Sequence, residues 1–328
     1  MAAILEPESE STVSSTSNNQ AAAVRLRENF SACRLQFKWM GTSKSLSSEQ
    51  KSQAADSFGA DAESINAGKR LIDVKHEAWK SLTSIKSQAT KYWKENSLPY
   101  PETGLRLIRQ DKVEEFNSTF EDFRTELTAG VHLFDQRFVE IKEAARDRLG
   151  SLFDLTDYPS TLEDEFGIEW SFPAVNPPDY LKRLNPEVYA EQTRRVAQRF
   201  DEAVQLAEAA FFEELDKLVS HLAERLAGDD DGRPKIFRDS AVTNMGDFFT
   251  RFRSLNIRSN DQLDELVERC EGLLNNVQPA ALRSDDGLRR SLSTNLAAVR
   301  SSLDQLIVDS PRRKILRTNR SIDQSGGQ

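Results

Sequence analysis

From Val113 to Leu149 the apolar residues return every three or four positions. They are Val113, Phe116, Phe120, Phe123, Leu127, Val131, Phe134, Phe138, Ile141, Ala145 and Leu149, with steps of 3, 4, 3, 4, 4, 3, 4, 3, 4 and 4. This is the period of one face of an α-helix. It predicts a helix over about 110–149, roughly 60 Å long at 1.5 Å per residue. Gly150 stands where a C-terminal cap is expected. Such a helix is not stable alone, because its apolar stripe needs a partner surface.

The preceding stretch supplies that partner. Leu71, Val74, Ala78, Leu82, Ile85, Ala89 and Tyr92 repeat at helical spacing and predict a helix over about 61–96, ended by Pro99 and Pro101, since proline lacks the backbone donor. Two long helices joined by a short loop form an antiparallel hairpin. Phe116, Phe120, Phe123, Phe134 and Phe138 are its expected seam.

Two short segments break the helical period. Cys33, Leu35, Phe37 and Trp39 alternate with Arg34, Gln36 and Lys38, and Ile168, Trp170 and Phe172 alternate with Glu169 and Ser171. Strict alternation marks a half-buried strand. The two are expected to pair at the base of the hairpin with their aromatic face on helices, because a lone two-stranded ribbon is marginal in water. Beyond the stiff Pro177-Pro178 joint, helical spacing predicts helices over 186–227, 239–254, 260–277 and 285–308. The expected fold class is therefore mainly α, a long coiled-coil-like antiparallel hairpin with a small two-stranded β element and an added helical bundle segment. The expected divisions are a disordered leader (1–22), the hairpin with its strands (30–178), the long helix with the C-terminal helices (179–309) and a basic disordered tail (310–328).

The 328 residues carry a net charge of −9. That balance disfavours a dedicated nucleic-acid binder, which usually shows a basic domain or face, and disfavours binding to anionic lipid surfaces. No run of 18 apolar residues occurs, so no membrane span is expected. Met1–Gln20 lacks the basic start and apolar core of a signal peptide. Cys33 and Cys270 form no CxxC and are expected as reduced thiols in a cytoplasmic protein.

Chemistry-bearing patterns are sparse. His76, His132 and His221 all fall inside predicted helices, none within four residues of another, and no HExxH exists. Neither GxxxxGK[ST] nor GxGxxG is present, so no phosphate-cradling loop is visible. Asp229-Asp-Asp-Gly has neither the ligand spacing nor the terminal glutamate of a calcium loop. No catalytic, cofactor or metal residue is assigned. One charge cluster has a functional reading: Arg312, Arg313, Lys314, Arg317 and Arg320 suit phosphate contacts or an acidic partner, with Arg34, Lys38 and Lys44 as further contacts.

Four stretches in order resemble a helical bacterial and phage family known as a domain of unknown function. They are Ser97-Leu-Pro-Tyr with Gly104-Leu-Arg-Leu-Ile, Leu149-Gly-Ser-Leu-Phe with Asp157-Tyr-Pro-Ser, Ile168–Phe172, and Ile236-Phe-Arg-Asp-Ser with Leu255-Asn-Ile. The resemblance covers roughly residues 33–275. It implies helical architecture and a partner ATPase of the MoxR-type AAA class, and supplies no catalytic residues. The expectation is a non-enzymatic interaction or scaffold protein, an adaptor for such an ATPase or a self-assembling chain. The alternative is a nucleic-acid binder that uses the basic tail.

Overall fold

A computed structural model describes residues 10–227, 239–275 and 277–309. The chain divides into two compact units, Met1–Glu208 with Arg251–Asn260, and Ala209–Thr250 with Asp261–Gln328. The division falls inside a long helix rather than at the Pro177-Pro178 joint.

In the first unit a four-stranded antiparallel sheet replaces the expected two-stranded ribbon. Its strands are β1 (Phe30–Lys38), β4 (Leu98–Pro99), β5 (Leu105–Arg109) and β6 (Gly167–Ser171), in the order β4-β5-β1-β6. The expected pairing of the two aromatic strands is present, with Leu35 opposite Trp170 and Phe37 opposite Ile168. On its other edge β1 pairs with β5, Cys33 opposite Arg106. A separate ribbon joins β2 (Ser43–Ser45) to β3 (Gly68–Arg70). β5 gives no alternation signal because Leu105, Leu107 and Ile108 are all buried; a strand covered on both faces loses the period of two.

Successive side chains of a strand point to opposite faces. One face of the sheet, with Cys33, Leu35, Ile108 and Ile168, shares a core with the helical hairpin. On the other face Ala32, Leu105 and Leu107 are also buried. Helix α1 (Glu10–Asn29) lies next to β1 and buries Ala22 and Leu26. Residues 10–22 are thus helical where a disordered leader was expected. The Arg25 guanidinium holds α1 to the 251–260 segment by donating to Ile257 O at 3.0 and 2.8 Å.

Of the expected hairpin, α3 (Glu77–Glu95) packs against α4 (Val113–Gln136). The first arm is much shorter than the spacing predicts. His76 caps α3, its Nδ1 accepting from Ala78 N at 3.3 Å. Asp73 Oδ1 turns the chain just before by accepting from Lys75 N. Residues 61–76 hold instead a helical turn (Ala62–Ser64), β3 and the buried pair Leu71 and Ile72. Helix α2 (Ser48–Asp56) precedes them, opened by a Ser47–Gln50 capping box.

The second arm is interrupted at Arg137, whose N–H donates to Phe134 O at 3.1 Å. Helix α5 (Phe138–Leu149) follows. The stripe keeps its phase across the break, with the rings of Phe134 and Phe138 5.8 Å apart. Gly150 ends α5 at φ +53°, its N–H bonded to Arg146 O, as the cap reading required.

Phe116, Phe120, Phe134 and Phe138 are buried and Phe123 is half-buried. Their packing is wider than a two-helix seam. Tyr92 of α3 lies within 6.1 Å of the Phe116, Phe120 and Phe123 rings, while Phe120 also meets Trp170 of β6 at 5.4 Å. Trp79 joins Phe134 and Phe166. Each such ring pair adds about 0.5–1.5 kcal/mol beyond area burial.

A short helix α6 (Asp179–Leu184) leads into α7 (Pro186–Ala227), which matches the predicted 186–227. The second unit takes α7 from Ala209, most of α8 (Ser240–Leu255), α9 (Asp261–Leu274), α10 (Pro279–Ser284) and α11 (Asp286–Asp309). Three of these follow the predicted positions closely. Leu292, Leu296, Val299 and Leu303 form the buried stripe of α11, which packs on α9.

Candidate functional site

The predicted tail contacts Arg312, Arg313, Lys314, Arg317 and Arg320 lie outside the described residues. The phenylalanine seam is interior and presents no docking face. Two of the three cations near the first strand are engaged within the chain: Arg34 pairs with Glu102 at 3.4 Å and Lys44 with Asp157 at 2.7 Å. Lys38 is exposed.

Three charged clusters organise the first unit. In one, Asp157 receives both Lys44 and Lys69, the latter at 2.5 Å with both side chains about 5% exposed or less. Lys69 Nζ also donates to Leu152 O, and Tyr158 Oη to Leu71 O. These bonds fasten the 68–72 segment to the Leu149–Ser160 stretch, which gives that stretch a structural role.

In the second cluster the Arg106 guanidinium donates to Ser97 Oγ at 2.7 Å, Ser97 O at 2.6 Å and Lys94 O at 3.3 Å, and stands over the Trp93 ring. Ser97 Oγ in turn donates to Trp93 O. These carbonyls end α3, where the helix dipole is negative. Arg106 is thus a cap that ties the sheet to the hairpin. Burial, with some help from the Arg251 charge, lowers its pKa to about 10.

In the third cluster Glu102 sits in the β4–β5 turn between two guanidiniums, Arg34 of β1 at 3.4 Å and Arg199 of α7 at 3.5 Å. The Tyr100 phenol lies in the same corner and packs on Phe200. Its Oη is buried beside the Arg199 guanidinium. Burial raises its pKa, with the charge and hydrogen bond of Arg199 opposing and the Glu102 charge adding. Nothing in the sequence marks this constellation, since its members come from three distant segments.

One surface stands out by exposure. Across residues 172–188 the side chains turn outward: Phe172 is 37% exposed, Tyr180 56%, Leu184 77% and Val188 38%. Tyr180 and Leu184 share one face of α6, while Leu181 is half-buried. Sequence reading passed over this arm as a joint, because isolated apolar residues in a Pro-rich stretch carry no period.

The remaining candidates resolve as scaffold chemistry. His76 is a cap, His132 lies by Gln136 and His221 by Arg225 on helix surfaces. Burial pushes the Cys33 and Cys270 thiols up to about 12, which keeps both protonated and unreactive near neutrality. No group of three or more His, Cys, Asp or Glu side chains suited to a metal occurs among the described residues. Among them no helix is long and apolar enough to cross a membrane. A cleft of about 200 Å³ in the second unit is lined by Val242, Gly246, Phe249, Glu271, Leu274 and Asn275. No protein-family model, curated protein or solved structure matches the chain.

Proposed function

We propose that this chain is a non-enzymatic interaction protein that offers the arm 172–188 to an apolar groove on a partner protein. The observation that carries this reading is the pair Tyr180 and Leu184, exposed by 56% and 77% one turn apart on α6. Large apolar side chains displayed on a helix face are how amphipathic helices enter grooves. Pro177 and Pro178 stiffen the approach, which lowers the ordering cost of binding. The hairpin serves as a coiled-coil-like strut, its phenylalanines inside. An AAA ATPase is the partner that the family resemblance implies, and a second copy is the other protein partner in view. A cytoplasmic setting belongs to the same reading.

The test is a Tyr180→Ser/Leu184→Asp double variant, compared with wild type by affinity capture from the native host and by light scattering for mass. Both side chains face solvent, so melting should be unchanged while the captured protein, or the self-associated form, is lost. A double variant that keeps every partner and the same mass sinks the proposal.

A second reading, nucleic-acid binding, has one structural observation in its favour. Lys80, Ser84, Ser87, Lys91 and Lys94 form a single exposed stripe along α3. Anisotropy with labelled DNA at two salt concentrations separates the readings. Binding that falls steeply with salt and needs these lysines or residues 311–328 favours nucleic acid, and absence of binding at low salt removes it.

A further inference from the structure

From the corner formed by Arg34, Tyr100, Glu102 and Arg199 we infer a seat for a phosphate group, held shut by Glu102 when empty. Four observations carry it. Two guanidiniums from different elements converge on one carboxylate, so the three side chains together carry a net charge of +1. The carboxylate binds each loosely, a different oxygen to each, at 3.4 and 3.5 Å. Charge-assisted N–H···O⁻ bonds are ordinarily about 2.7–2.9 Å. Tyr100 Oη supplies a buried phenol beside Arg199 in the same corner. Finally, the three charged groups are between about a third and half exposed, at 37%, 42% and 48%, so an ion can reach them.

A tetrahedral dianion suits this arrangement better than the planar monoanion that fills it. Its oxygens can meet both guanidiniums at short range together with the phenol, and its two charges match two arginines. Glu102 is free to leave. It rides on a tight turn closed by Leu105 N–H to Glu102 O at 3.1 Å, with Gly104 at φ +81°. Its side chain can therefore swing into solvent without disturbing the sheet. The chemistry recognised is that of inorganic phosphate or a phosphate monoester. This seat is independent of the arm 172–188.

The experiment is titration of the full chain with inorganic phosphate and, separately, phenyl phosphate, at constant ionic strength against chloride, read by calorimetry. Glu102→Gln removes the internal competitor and should tighten phosphate binding at least about tenfold, the equivalent of about 1.4 kcal/mol. Arg199→Gln or Arg34→Gln in that background should abolish it, with circular dichroism confirming the fold. Phenyl phosphate binding as well as phosphate indicates an ester as the natural ligand, and its exclusion indicates the free ion. If Glu102→Gln binds neither probe above the chloride control, or if binding survives both arginine substitutions, the seat does not exist.

Discussion

Lys69 Nζ lies 2.5 Å from Asp157 Oδ2, and both side chains are almost wholly buried. Burial alone would raise the aspartate pKa, but the hydrogen bonds and charges of Lys44 and Lys69 outweigh it and hold the carboxyl below its ordinary value. A depressed folded-state pKa contributes stability that is fully present above the unfolded value of about 3.9 and is lost as the pH falls through the folded value. Asp157→Ala leaves Lys69 buried without its counter-ion and should cost about 3–5 kcal/mol near neutrality. Urea denaturation of both proteins from pH 7 down to pH 2 checks this. The gap between wild type and variant should be constant above about pH 5 and shrink below the ordinary aspartate value. A gap that does not change with pH would assign the loss to packing instead.

The phenylalanine seam gives a graded prediction. Phe120 and Phe134 are fully buried, whereas Phe123 is half-buried. Phe120→Asp or Phe134→Asp places an unpaired carboxylate in the core, a cost of several kcal/mol against a typical total of about 5–15. Both should unfold the first unit. Phe123→Asp should lower its melting temperature and leave the helical signal in place. Equal melting of all three variants, followed by circular dichroism, would mean that the burial order is wrong.

These residues also show what spacing reveals and what it conceals. The Phe116–Ala145 stripe is legible because every member faces one core. The break at Arg137 is not, since Phe134 and Phe138 remain four residues apart on either side of it. Leu71 and Val74 fit the α3 period by position, yet Leu71 is buried in an irregular segment and Val74 is exposed. There the turn at Asp73 and the capping geometry of His76 override periodicity. Strand β5 is silent for a different reason: Leu105 and Leu107 are covered on one face and Ile108 on the other, and Arg106, which reads as a surface charge, is a half-buried cap. The corner of Arg34, Glu102 and Arg199 spans 165 positions of sequence. Only the β1–β5 pairing and the placement of α7 bring it together.

In the second unit Arg289 occupies a position of the α11 stripe otherwise filled by Leu292, Leu296, Val299 and Leu303. Its side chain is 8% exposed, its Nε has no hydrogen-bond partner, and its ion pair, with the exposed Asp286, is 3.7 Å long. Removing a charge from water is costly, and this pairing is too weak to offset it. Arg289→Met keeps the length and apolar stem of the side chain and should leave the free energy of unfolding unchanged or raise it by about 1–4 kcal/mol, read from urea denaturation. A loss above about 2 kcal/mol would assign Arg289 a structural role that its contacts do not explain.

Arg106 makes the most specific demand on side-chain shape. Its forked guanidinium reaches Ser97 Oγ, Ser97 O and Lys94 O at once, which a lysine ammonium on a flexible stem cannot reproduce. Arg106→Lys keeps the charge at the negative end of α3 but gives up the simultaneous bonds. It should destabilise the unit by about 1–3 kcal/mol, the cost of leaving buried acceptors unsatisfied. Arg106→Met loses the dipole interaction as well, a further ~0.3–1 kcal/mol. Hydrogen exchange localises the effect. Amides at the C-terminal turn of α3 and in β5 should exchange faster in both variants, while those of α9 and α11 keep their wild-type protection. Faster exchange across every helix would show global destabilisation and remove Arg106 as the tie between sheet and hairpin.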